Sequence, residues 1–508
     1  MQRATRGDAL KLRRLLPFLA TFLTITAAAQ TVPVVMLSDI HLDPFHDPAK
    51  VAQLLTAPTT GWSAILNTPA SPTQAADFAK LQSTCGAKGV DSPIALLESS
   101  LAAAHTQQPH PLFVTVSGDL MAHRFDCRFH TLAPSATDAD YSAFAAKTVA
   151  FVALRLRQTF PHTPVYLALG NNDSGCKDYR EDPNSAFLQA DAQSFAADAV
   201  SAANSRAIRT EFSQYGDYNI ALPAPFTHTR LIVLQDIFES ARYTNCSGSS
   251  GDSSTNAASS SGSLQVDWLR TQLTAARAAH ERVWVMAHIP PGIDAYSTIK
   301  KGLSSCGAGA PEFFIPSDSL ASTISQFADT IKLALFGHTH MDEMRVYAST
   351  DPGTKDAVAP GKLVPSITPV NGNNPAFTIA AVDSSTATLK DYTVYSASTQ
   401  TSGADSWDSK ATKWSEEYNY AKTYGLPDFS GTSAAKLSST FLADKSGSAD
   451  ASLAYQRFYY VGDPNIAANV KAAAMKLVWH AYACSIAHTV AASYSSCLCA
   501  ATPSTPAQ

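Results

Sequence analysis

Pro33-Val34-Val35-Met36-Leu37-Ser38 runs straight into Asp39-Ile40-His41. Four more segments repeat the pattern. Leu112–Val116 leads to Ser117-Gly118-Asp119, with His123 four residues on, and Val165–Leu169 leads to Gly170-Asn171-Asn172-Asp173. Val283–Ala287 leads to His288, and Leu333–Phe336 to Gly337-His338-Thr339-His340. A short continuous apolar run reads as a strand buried on both faces. Sheets built of such strands bind ligands beyond their carboxyl ends. The five endings therefore place two carboxylates, one amide and several imidazoles on one rim. Hard oxygens beside borderline nitrogens suit Zn first, with Mn or Fe as alternatives.

Residues two apart on an extended strand end point to one side, so Asp39 pairs with His41 and His338 with His340. Glycines 118, 170 and 337 permit tight turns and close backbone approach. Asp119, with ligands on both sides, is the candidate bridge between two ions. Two metals about 3.5–4 Å apart can clamp the attacking and leaving oxygens of an in-line displacement at phosphorus, with a shared water as nucleophile. Each match alone is weak: a lone His is usually structural, and Gly-Asn is a common turn. Five in a fixed order count jointly, and a plain α/β core with scattered histidines does not produce them.

These blocks, including Gly118-Asp119-Leu120-Met121-Ala122-His123, resemble the calcineurin-like metallophosphoesterases. Ala287–Gly292, Phe336–Glu343, Cys85 followed by Asp91-Ser92-Pro93, and Tyr424-Gly425-Leu426-Pro427 are similar to the acid sphingomyelinase-like phosphodiesterase branch. The resemblance spans roughly residues 33–499. It implies one metal on Asp39, His41, Asp119 and His340, and another on Asp119, Asn171, His288 and His338. It also implies that His123 sits beside the phosphate and helps protonate the leaving oxygen; the alternative is that it orients a metal ligand. Many family members have His after the liganding Asn, where this chain has Asn172. An amide can bond a phosphate oxygen but cannot act as a general acid, so that role moves to His123.

Composition narrows the field. The chain has 508 residues, a net charge of −5 and no basic tract past its first residues, which disfavours nucleic acid as a bulk partner. Arg3, Arg6, Lys11, Arg13 and Arg14 precede an apolar run and Ala27-Ala28-Ala29, the pattern of a signal peptide over residues 1–29 and of a secreted or periplasmic protein. That run is too short to span a bilayer, and no other segment could. Eight cysteines agree with an oxidising compartment. A Cys127–Cys176 bridge would staple the rim, and a local bridge is expected among Cys484, Cys497 and Cys499. Asn245-Cys246-Ser247 fits a glycosylation sequon, but the match means nothing if Cys246 is bridged.

The expected fold is α/β: a four-layer sandwich of two mixed sheets flanked by helices, with a C-terminal, mainly helical subdomain. Residues 31–395 form the catalytic unit, 396–499 a cap and 500–508 a disordered tail. Helices are predicted over Gln74–Leu81, Ile94–His105, Tyr141–Phe160, Ala186–Ala203, Leu264–His280, Ser448–Tyr460 and Asn465–Ala487. Thr244–Ser263 reads as a low-complexity loop, and the aromatic stretch opening at Trp407 as cap core. The expected function is a secreted, dinuclear-metal phosphodiesterase acting on soluble, nucleotide-like phosphodiesters or phosphoanhydrides. No saposin-like lipid-handling module is expected ahead of the first strand. Sphingomyelin hydrolysis, endopolyphosphatase activity and a non-catalytic metal-binding relative are the alternatives. Purple acid phosphatases are disfavoured, because no Tyr follows Gly118-Asp119.

Overall fold

The computed structural model describes residues 30–248, 260–316, 318–397, 412–461 and 474–500. The expected signal peptide, Trp407, most of the serine-rich loop, residues 462–473 and the tail from 501 lie outside them.

Twelve strands form two mixed six-stranded sheets with helices outside, the four-layer α/β arrangement. The first contains β1 (Thr31–Leu37), β2 (Phe113–Ser117), β3 (Val165–Ala168), β10 (Ala376–Asp383), β11 (Thr388–Ala397) and β12 (Trp414–Asn419), ordered β12-β11-β10-β1-β2-β3. The second contains β4 (Tyr218–Ala221), β5 (Thr229–Val233), β6 (Arg282–Met286), β7 (Ile331–Phe336), β8 (Glu343–Ala348) and β9 (Val358–Leu363), ordered β4-β5-β6-β7-β9-β8. β1, β2 and β3 are mutually parallel, and so are β6 and β7. Their carboxyl ends meet at the middle of the molecule, where Gly337 N–H bonds His288 O at 2.9 Å and Ser117 Oγ bonds Phe336 O at 3.3 Å.

β6 shows why these strands read as unbroken apolar runs. Trp284 and Met286 face the core shared with Phe113 and Leu335, while Val283 and Val285 face a second core with Leu269 and Leu273 of the helix Ser260–Ala278. With both faces dry, the alternation of a half-solvated strand disappears. The predicted helix Tyr141–Phe160 runs Asp138–Thr159 and starts in a capping box of Thr137 and Asp140. The single helix predicted over 186–203 is two, Ala186–Asp198 and Ala202–Tyr215. Val200, at φ 59°, breaks the run, and Ser201 caps the second helix through Asn204 N–H.

Past residue 395 the first sheet continues, because β12 pairs with β11. The helices that follow, Gly431–Ala443, Asp450–Tyr459 and Trp479–Ala487, lie over the β8–β9 edge. Asp342 N–H donates to Tyr459 O at 2.9 Å, and a buried polar seam ties β12 to the same edge: Lys362 pairs with Asp342, Tyr418 Oη donates to Asp342 Oδ2 at 2.8 Å, and Arg345 pairs with Glu343 at 2.9 Å.

All eight cysteines are paired, and the expected Cys127–Cys176 bridge is corrected: the bonds are Cys85–Cys127, Cys176–Cys246, Cys306–Cys499 and Cys484–Cys497. The two rim loops do approach, but through Lys177 and Asp126 at 3.1 Å, while Cys127 pairs back to Cys85 and Cys176 forward to Cys246. The local bridge near the C-terminus is Cys484–Cys497. Cys246, the middle residue of the Asn245 sequon, is bridged to Cys176.

Candidate metal centre

Each expected ligand leaves the end of a parallel strand. Asp39 and His41 follow β1, Asp119 follows β2, Asn171 follows β3, His288 follows β6, and His338 and His340 follow β7. The chain reverses there within one or two residues, at a conformational cost. Asp39, His41, Asp119, His338 and His340 all have φ between 46° and 70°, a region that residues other than glycine seldom occupy. Such strain collects at functional sites, where surrounding structure over-determines it. Gly118 adopts φ 93°, and a Cβ there would lie 2.7 Å from His288 Nδ1. A Cβ at Gly170 would collide with Asp119, and one at Gly337 with Ser38 and Asp39.

The rim converges on two carboxylates. Asp119 Oδ2 lies 3.4 Å from His41 Nε2 and 3.1 Å from His288 Nε2. Asp39 Oδ1 lies 3.4 Å from His340 Nε2 and 3.8 Å from His41 Nε2. Asn171 Oδ1 lies 2.9 Å from His338 Nδ1. Two overlapping donor clusters result, Asp39–His41–Asp119 and Asp119–His288–His338, with Asp119 common to both. His41 and His340 form a further group with His123.

The residues fit divalent cations. His41 Nδ1 donates to Met121 O at 2.8 Å and His288 Nδ1 to Ser117 O at 2.7 Å. That fixes the tautomer and leaves each Nε2 as a lone pair facing the carboxylates. Both Nε2 atoms are buried and make no hydrogen bond among the described residues. Burial opposes charging His41, yet Asp119 and then Asp39 raise it to about 9. For His288 the same contest, with Asp119 foremost, ends at about 10. The carboxylate field thus favours positive charge here, and a cation satisfies it as well as a proton does. Burial, followed by the neighbouring imidazole of His288, lowers His338 to about 3, and burial with His41 lowers His340, so both rings keep lone pairs for coordination.

Three supporting carboxylates escaped the sequence reading. Asp91, quoted above only as part of a motif, is fully buried and accepts from His123 Nδ1 at 2.8 Å and from His123 N–H at 2.9 Å. Burial works against its charge, but His123 and Arg128 hold it down at about 2. His123 stacks on His41, with ring centroids 4.1 Å apart. Asp173 gathers the N–H groups of Leu120, Met121 and Gly170 at 2.8–3.0 Å and so shapes the turn that carries Asp119. Asp178 accepts from Asn171 Nδ2 at 2.8 Å. Asn172 gives its backbone N–H and its Nδ2 to the two oxygens of Asp119, each at 2.9 Å. Its amide therefore steadies the shared carboxylate, although Asn172 also lines the cleft. That cleft is a cavity of about 290 Å³ over the rim. Lys88, Arg124, Arg242 and Asn371 line its mouth, together with Ala87 and Val370.

Residues 32–342 match the family described as calcineurin-like phosphoesterase. The sequence is 26% identical over 407 residues to acid sphingomyelinase-like phosphodiesterase 3b of Mus musculus, covering 78% of this chain and 76% of that protein. The Homo sapiens protein of the same name is 26% identical over 390 residues, 75% of each chain. The cyclic GMP-AMP phosphodiesterase SMPDL3A of Bos taurus is 23% identical over 203 residues, 39% of this chain and 41% of that one. Among solved structures, a dimetal phosphatase from Danio rerio aligns with a TM-score of 0.37 and 13% identity over 73% of this chain and 96% of that one.

Proposed function

The chain belongs to the calcineurin-like phosphoesterase family, in its acid sphingomyelinase-like branch, and from that premise we propose a secreted, dinuclear-metal phosphodiesterase acting on small, soluble, anionic substrates. A dinuclear metal centre is the family's common property, and the acid sphingomyelinase-like relatives are phosphodiesterases. One cation would be held by Asp39, His41, Asp119 and His340, and the other by Asp119, Asn171, His288 and His338. Zn suits this set best, with Mn or Fe as alternatives. When bound, such a pair neutralises phosphoryl oxygens and lowers the pKa of a water between them.

The chain's own residues supply the rest. Asp119, common to both donor clusters, is steadied by Asn172 and by the Asp173 turn. His123 has given Nδ1 to Asp91, so its Nε2 is the atom left for the cleft. Asp91 fixes the ring by its bond to Nδ1, and His123 Nε2 delivers a proton to the departing oxygen. Asn172 has no proton to give. The cationic, amide-bearing mouth formed by Lys88, Arg124 and Asn371 supports nucleotide-like phosphodiesters or phosphoanhydrides over acyl chains. Four disulfides support export. Among the described residues no helix is long and apolar enough to cross a membrane. The catalytic unit is read as residues 31–395, followed by the cap to 499, whose first strand is stitched into the catalytic sheet.

The observation that carries this reading is the pair of buried, hydrogen-bond-free Nε2 atoms of His41 and His288 facing Asp119. Metal analysis of purified protein should return two transition-metal ions per chain, and Asp119→Asn should lose at least one of them with most of the turnover. In a panel of nucleotides, cyclic nucleotides, polyphosphate and sphingomyelin vesicles, the soluble anions should be cleaved fastest. Vesicle sphingomyelin cleaved at least as efficiently as any of them, without detergent, would overturn the substrate assignment. Two bound metals with no turnover on any member would favour the non-catalytic alternative.

A further inference from the structure

One arm of the rim is organised from outside. Asn171 can serve a cation only through Oδ1, since its NH₂ repels positive charge, and an amide can turn over to present either end. Here the choice is made by Asp178, which takes Asn171 Nδ2 at 2.8 Å and leaves Oδ1 beside His338 Nδ1 at 2.9 Å. The next residue reaches the other ligand of the same cluster: Tyr179 Oη lies 3.5 Å from His338 Nε2, and the two rings meet edge to face. Tyr179 is buried and held at φ 58°, with its N–H on Asn171 O at 2.9 Å. Both residues are then gripped by one side chain from a distant loop. Arg242 Nη2 donates to Asp178 Oδ2 at 3.3 Å, and its guanidinium carbon lies 3.9 Å from the centroid of the Tyr179 ring. The two loops are fastened by Cys176–Cys246 and by Thr244 N–H on Tyr179 O at 3.1 Å.

We propose that Arg242 is a positioning residue for the Asn171–His288–His338 cation, acting through Asp178 on the Asn171 amide and through Tyr179 on His338. The proposal rests on the dinuclear reading above. A planar guanidinium can do both tasks at once, forking toward a carboxylate while lying on an aromatic face. Lysine offers only a point charge. Groups that orient metal ligands in this way typically contribute about 10–100-fold to affinity.

The test uses the metal-loaded, full-length protein, with Arg242→Ala, Arg242→Lys and Asp178→Asn beside wild type. Each is dialysed against a graded series of buffered free Zn²⁺, and bound metal is counted. Arg242 has a side chain about two-thirds exposed, so its removal leaves the fold intact. Arg242→Ala and Asp178→Asn should lose one equivalent at roughly 10–100-fold higher free Zn²⁺ than wild type and keep the other. Arg242→Lys should fall between. Two ions retained by all variants with wild-type affinity, and only KM raised, would make Arg242 a substrate contact and overturn this proposal alone. Parallel loss of both ions with a lower melting temperature of the metal-free protein would also overturn it, as a merely structural role. Fewer than two ions in wild type would overturn the dinuclear reading and this proposal together.

Discussion

At the scale of single residues, His123 and Asp91 act as one unit. Asp91 holds the ring by Nδ1 and the backbone by N–H, so the imidazole is oriented before substrate arrives. A positioned general acid contributes typically about 10²–10⁴-fold, and chiefly when the departing oxygen is basic. His123→Ala should therefore depress hydrolysis of alkyl phosphodiesters far more than that of p-nitrophenyl esters, with Asp91→Asn following the same order more mildly. Equal losses on both ester types would instead assign the pair to phosphate binding or ligand orientation. The positions of the seven candidate ligands on the rim were legible because each stands where a buried strand stops, and the apolar run announces the stop. Asp91, Asp178 and Arg242 were not, because they lie on loops, where no periodicity marks a side chain's direction. Asn172 was half legible: its chemistry excluded a proton donor, but its use as a clamp on Asp119 depends on a fold that brings residues 53 apart into contact.

At the scale of elements, the disulfides decide how firmly these loops are held. Cys85–Cys127 joins the segment just before Asp91 to the helix Phe125–Leu132 just after His123. Closing loops of this size in the unfolded chain is worth about 2–4 kcal/mol. Cys85→Ser with Cys127→Ser should lower the melting temperature and also steepen the dependence of rate on leaving-group basicity, because the His123–Asp91 pair loosens. Cys484→Ser with Cys497→Ser, in the cap, should change stability without changing that dependence. Matching leaving-group profiles in the two double variants would refute this link. Pairing was unreadable from the sequence for a physical reason: connectivity follows from which loops the sheets bring together, and Cys85 and Cys246 lie 42 and 70 residues from their partners. The join at β12 was missed for the same reason. Its aromatic residues match a cap core as well as an edge strand, and only pairing with β11 tells them apart.

At the scale of the whole molecule, burial of acids sets a pH window. Glu181, Asp191, Asp217 and Glu239 are all nearly inaccessible, and neither oxygen of Asp191 or Glu239 has a hydrogen-bond partner among the described residues. Burial, the dominant cause, pushes Glu181 and Glu239 to about 7 and Asp191 and Asp217 well above the ordinary range. An acid whose folded pKa exceeds its unfolded one binds more protons when folded, so stability falls as pH rises between the two values. The window opens near the ordinary carboxylate range, close to pH 4, and extends past 7. Asp91, held at about 2 against burial by His123 and Arg128, acts in the opposite sense, and its contribution is lost as pH falls toward 2. The metal-free protein should therefore melt highest in mild acid and progressively lower toward pH 8. The metal-loaded protein should decline less, because its ligands bind more tightly as they shed protons. Asp191→Asn removes one of the titrating groups without changing its size, so the curve of metal-free melting temperature against pH should flatten above pH 5. An unchanged slope in that variant would mean that Asp191 stays charged in the fold or is protonated alike in both states.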